Sequence, residues 1–156
     1  MSEHKEEEAF ETFVDIIAKL RGENGCPGDK EQTFESLKPC MVNEMTEALA
    51  GIDLYTQTGN AENLCEELGD VLMQVVLLSQ IAREKGLFDI TDVIKGISEK
   101  RIRRHPHVFG APGTEVPDWE AIKQQEKQQR SRELEQAEKA AFRAAAGQII
   151  CHLSER

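Results

Sequence analysis

The stretch Ala61-Glu-Asn-Leu-Cys-Glu-Glu-Leu-Gly-Asp-Val-Leu-Met-Gln-Val-Val-Leu-Leu-Ser-Gln-Ile-Ala-Arg-Glu-Lys85 decides the fold. Leu64, Leu68, Val71, Leu72, Val75, Val76, Leu78 and Ile81 recur at short helical steps, which predicts an α-helix from Ala61 to Lys85. They cover more than one stripe, so the helix is expected to be buried on several sides, at the centre of a bundle or at a subunit interface. Gly86 follows as a C-cap.

The same period extends in both directions. Upstream, Leu37, Met41, Met45, Leu49 and Ile52 step by three and four, predicting a helix from Phe34 to Thr56. Pro39 lies near its start, where a proline is tolerated, and Thr58-Gly-Asn60 breaks it from the next helix. Phe10, Phe13, Val14, Ile17 and Leu20 predict a first helix from Glu6 to Leu20, ended by the loop Arg21-Gly-Glu-Asn-Gly-Cys-Pro-Gly28. Downstream, Thr91 is placed as N-cap of a helix to Arg103 that uses Val93, Ile94, Ile97 and Ile102. His105 to Gly113 reads as a loop, and Asp118 opens a last polar helix that is Ala-rich from Ala137 to Ala146. With no β alternation, the reading is an all-α helical bundle of four core helices plus a C-terminal helical extension. Residues 1–130 are expected to form the domain and 131–156 a helical tail, and the broad apolar surface of the third helix predicts an oligomer.

Composition bounds the function. The chain has 156 residues and a formal net charge of −10, which argues against a nucleic-acid partner because phosphate neutralisation needs surplus Lys and Arg. No run approaches ~20 apolar residues, so no membrane span is expected, and the polar acidic N-terminus shows no export signal. Cys26, Cys40, Cys65 and Cys151 match no Cys-x-x-Cys pattern and read as reduced thiols of a cytoplasmic protein.

The acidity is local. From Pro39 to Ala82 there is no Lys or Arg, yet Glu44, Glu47, Asp53, Glu62, Glu66, Glu67 and Asp70 all fall there. Glu44 and Glu47 are three residues apart, as are Glu67 and Asp70, so each pair shares a helix face. Two adjacent antiparallel helices would aim four carboxylates at one point. They read either as solvated acids on amphipathic helices or as oxygen ligands for a hard cation, Mg²⁺ or Mn²⁺. A ferritin-like di-iron site would need Glu-x-x-His, which does not occur. Lys100 and Arg104, four apart, read as a basic helix end favoured by the helix dipole or as a phosphate contact. Trp119 reads as a packing anchor or as a platform against a base, with Lys123 one turn on.

Glu44-x-x-Glu47 followed by Glu67-x-x-Asp70 resembles the metal motif of the all-α nucleoside triphosphate pyrophosphohydrolases, and most closely the MazG family. Asn24-Gly-Cys-Pro-Gly-Asp-Lys-Glu-Gln-Thr33, Ser36-Leu-Lys-Pro39, Glu66-Glu-Leu-Gly-Asp70, Arg103-Arg-His-Pro-His-Val-Phe109 and Trp119-Glu-Ala-Ile-Lys123 are similar to its other signatures. The resemblance covers roughly Phe13 to Gln128. It implies Mg²⁺-dependent hydrolysis of a nucleoside triphosphate, canonical or not, to a monophosphate and pyrophosphate, by a helical homodimer or dimer-based tetramer. It implies that Glu44, Glu47, Glu67 and Asp70 are metal ligands and catalytic, and that Lys38, Lys100, Arg104, Trp119 and Lys123 bind substrate. Two positions depart from the pattern: Gly28 stands where the family usually has Trp, and Asn43 where it usually has a further acid. These departures motivate the alternative of a catalytically weak or inactive nucleotide-binding module of the same fold.

Overall fold

The computed structural model describes residues 4–128 and 131–154, and among them there is no strand. The backbone divides into two compact units, Met1–Ile90 and Thr91–Arg156.

The first unit contains α1 (Lys5–Arg21), α2 (Pro27–Glu31), α3 (Leu37–Thr58) and α4 (Glu62–Glu84). Its core joins Ile17 of α1, Leu37 of α3 and Val76, Leu77 and Ile81 of α4, with Phe10, Phe13, Leu20, Phe34 and Met73 packed around them. The second half of α4 is therefore its buried half. Leu77, outside the apolar set read from the sequence, is buried, while Leu68 and Leu72 near the N-terminal end are exposed.

Three residues separate α3 from α4, which makes them an antiparallel pair. Gly51 sets how closely they pack. A Cβ added there would lie 3.1 Å from the Leu64 Cα and 3.2 Å from the Asn63 side-chain oxygen. At its far end α4 stops in a Schellman arrangement. Gly86, at φ 67, donates its N–H to the Arg83 carbonyl, and Leu87 donates to the Ala82 carbonyl. Arg21, whose side chain is nearly buried, ties the α2 segment that follows it to that end of α4. It donates to both Glu84 carboxylate oxygens at 2.8 and 2.7 Å and to the carbonyls of Asp29 and Gln32. This bidentate hydrogen bond holds the Glu84 carboxyl below its ordinary range.

The second unit takes in α5 (Ile90–Arg104), which starts one residue before the division, and continues with α6 (Pro106–Phe109), α7 (Trp119–Gln128) and α8 (Arg132–Ser154). None of its described residues is fully buried.

Several elements differ from those the helical period predicts. The expected loop Arg21–Gly28 gives way at Pro27 to α2, started by that proline with its fixed φ and held at its carbonyl end by Arg21. The expected loop 105–113 contains α6, which also opens on a proline. Thr91 lies inside the first turn of α5 rather than before it. The last helix is two helices, each with its own cap. Asp118 Oδ1 accepts the Glu120 N–H at 2.9 Å, and Ser131 Oγ accepts the Leu134 N–H at 3.2 Å. Of the apolar stripe expected on α3, only Leu37 is buried; Met41, Met45, Leu49 and Ile52 are exposed.

Gly51→Ala tests the close approach of α3 and α4. Helix propensity favours alanine by about 1 kcal/mol, but overpacking against backbone costs about 1–3 kcal/mol. The expected outcome is a lower melting temperature; a higher one would show that the pair does not depend on glycine here.

Candidate functional site

Glu44 on α3 and Glu67 and Asp70 on α4 come together. One carboxylate oxygen from each lies within 4.8 Å of the others, and all three side chains are half-buried. Helical spacing places Glu67 and Asp70 on one face of α4, and the antiparallel pairing brings Glu44 opposite them. The Glu44 carboxyl is raised above its ordinary range, first by burial and then by the charges of Glu47, Asp70 and Glu67. Every charge acting on Glu44 in this way is another carboxylate. Glu47 is exposed and lies outside the three-oxygen cluster, close enough for its charge to be felt.

Two polar side chains of α4, each one helical turn from one of its acids, were not singled out in the sequence. Asn63, one turn before Glu67, donates its Nδ2–H to Glu67 Oε1 at 2.8 Å. Gln74, one turn after Asp70, is 3% exposed, and its Oε1 has no hydrogen-bond partner among the described residues. Their helical spacing from the acids was visible: Asn63 is four residues before Glu67, and Gln74 four after Asp70 within an otherwise apolar run.

The donor set fits a hard divalent cation. It is all oxygen and anionic, and one oxygen of each acid lies within 4.8 Å of the others despite their mutual repulsion.

The second unit holds the other residues singled out, apart from Lys38. Arg104 donates from Nη2 to Glu126 Oε2 at 2.6 Å, and Arg103 donates to Glu126 Oε1 at 3.0 and 2.7 Å, so α5 is clamped to α7. The two guanidinium groups, Arg104 first, hold the Glu126 carboxyl down to about 2. Trp119 packs edge-on to His105 at 5.0 Å, and the Arg101 guanidinium lies 5.6 Å from its ring centre. Lys100 lies one turn before Arg104 on α5, half-buried. Lys123 pairs with Glu120 at 2.6 Å, and Lys38, in the first unit, pairs with Glu35 at 2.6 Å. Gly28 sits exposed in α2, where an added Cβ would meet only the Cys26 sulfur, at 3.8 Å. No contact therefore requires glycine there.

The family profile described as "MazG nucleotide pyrophosphohydrolase domain" matches residues 32–109. The chain is 53% identical over 119 residues to the nucleoside triphosphate pyrophosphohydrolase/pyrophosphatase MazG of Thermotoga maritima, covering 76% of this chain and 45% of that protein. It is 50% identical over 123 residues to the uncharacterized protein YabN of Bacillus subtilis, covering 76% and 24% respectively. It is 41% identical over 128 residues to the nucleoside triphosphate pyrophosphohydrolase of Escherichia coli K12, covering 78% and 47%. The chain thus spans less than half the length of each of these relatives.

The Glu126 clamp predicts a pH dependence. A carboxyl held below its ordinary value of 4.5 contributes stability that is complete above that value and is lost as pH falls through about 2. In a carbon-13 NMR titration the Glu126 carboxyl should change protonation near the lower value. A midpoint between 4 and 5 would contradict the clamp.

Proposed function

The chain belongs to the MazG nucleotide pyrophosphohydrolase family, and we propose that it hydrolyses nucleoside triphosphates to monophosphate and pyrophosphate, with Mg²⁺ or Mn²⁺ held by the α3–α4 carboxylates. The observation that carries this reading is the convergence of Glu44, Glu67 and Asp70 within 4.8 Å.

In this reading Glu44, Glu67 and Asp70 bind the cation, and Glu47 completes the acidic set. The cation, when bound, supplies charge neutralisation for the phosphate chain and an acidified water. One of Glu44, Glu47 and Glu67 orients the attacking water or takes its proton. Lys38, Lys100, Arg104 and Lys123 meet the triphosphate charge, and Trp119 offers a face to the base. The ion pairs of Lys38 and Lys123 join residues three apart at the surface. Such pairs are worth about 0–1 kcal/mol, so phosphate can replace the carboxylate partner at little cost. The catalytic domain runs through residue 130, and residues 131–156 form the extension that carries α8.

A second copy of the chain is proposed as the partner. The stripe Met41, Met45, Leu49 and Ile52 on α3 is 36–58% exposed, and Leu68 and Leu72 on α4 are exposed too. An apolar face of this kind is the usual mark of an oligomer interface.

With Mg²⁺ and a panel of canonical and modified nucleoside triphosphates, the protein should release pyrophosphate. Glu67→Gln or Asp70→Asn should lower kcat/KM by about 100-fold or more, since a catalytic cation contributes several kcal/mol. Release of orthophosphate, activity unchanged in both variants, or nucleotide binding without product would overturn the proposal. Light scattering at micromolar concentration should give at least twice the 17.5 kDa chain mass, and a monomer would exclude the proposed partner.

A further inference from the structure

We propose that Asn63 is a positioning residue for Glu67, fixing that carboxylate for cation binding through a neutral hydrogen bond. The inference rests on the metal-site reading above.

The geometry is specific. Asn63 Nδ2 lies 2.8 Å from Glu67 Oε1, and both side chains are half-buried on α4, one helical turn apart. The other end of the same amide faces α3 at Gly51, where an added Cβ would lie 3.2 Å from Asn63 Oδ1. The missing side chain at position 51 makes room for the amide, and the amide's hydrogen points at the carboxylate. Its oxygen and its nitrogen are thus both placed, so the Glu67 carboxylate is constrained in rotation as well as in reach.

The chemistry explains why an amide suits this place. Glu67 stands within 4.8 Å of two other carboxylates, and their repulsion favours any rotamer that carries it away. A hydrogen bond to an ionised acceptor is among the stronger ones and opposes that escape. A lysine or arginine would oppose it too, but would neutralise the charge that a cation needs. The neutral amide holds the carboxylate and leaves its charge available, as outer groups around metal ligands do.

The test measures Mn²⁺ binding to the full chain by the electron paramagnetic resonance signal of the free ion, together with the melting temperature of the metal-free protein. Asn63→Ala should weaken Mn²⁺ binding by about 10- to 100-fold while the metal-free protein melts as wild type does. Asn63→Leu, which keeps the side-chain volume against α3, should do the same. In a Glu67→Gln background, Asn63→Ala should change Mn²⁺ affinity by no more than about twofold, because the pair acts as one unit. Wild-type affinity in both single variants, or an undiminished loss in the Glu67→Gln background, would overturn the inference while leaving the metal site standing. A wild-type protein without saturable Mn²⁺ binding would overturn the metal reading and this inference with it.

Discussion

Three carboxylates whose oxygens lie within 4.8 Å of one another repel, and the packing of the first unit holds the helices that carry them together. Burial and its acidic neighbours raise the Glu44 carboxyl above the ordinary range. Apolar packing of α4 against α1 and the start of α3 keeps the helices in place, through Ile17, Leu37, Val76, Leu77 and Ile81. Gly51 brings the backbones of α3 and α4 together near Leu64, one turn from Glu67. The hydrophobic core at one end of the pair thus offsets the electrostatic strain at the other, which is how folding energy becomes a preorganised anionic site.

The ends of the elements serve the same arrangement. Arg21 joins the loop after α1 to the end of α4 through Glu84, and the left-handed Gly86 lets α4 end cleanly there. In the second unit the basic end of α5 is held by Glu126, a carboxylate accepting hydrogen bonds from two guanidinium groups. Two positive charges on one negative leave that end of α5 net positive. The apolar stripe Met41, Met45, Leu49 and Ile52 of α3 stays exposed in the single chain, which is the face the proposed second copy would cover.

Much of this was legible in the sequence because it follows from local spacing. The helical period placed α1, α3, α4 and α5 to within a few residues, and the i, i+3 acids announced shared faces. The base-free window from Pro39 to Ala82 holds the acids that meet, and the charges that raise Glu44 are all carboxylates of that window. Features set by distant partners were not legible. Arg21 meets a glutamate 63 residues away, and Glu126 meets arginines 22 and 23 residues away, which no periodicity reveals. The exposure of the α3 stripe was not legible either, because helical spacing of apolar residues does not say which of them are buried. The short helices α2 and α6 were hidden in glycine- and proline-rich segments, where proline starts a turn of helix as readily as it ends one.

The central claim is that the acids of α3 and α4 form one cation site, and it can be tested without turnover. Crystals grown with Mn²⁺ should show anomalous density bounded by oxygens of Glu44, Glu67 and Asp70, at about 2.1 Å from the ligating atoms. Saturating Mn²⁺ with no anomalous peak among these three residues, or with peaks only elsewhere on the chain, would contradict it.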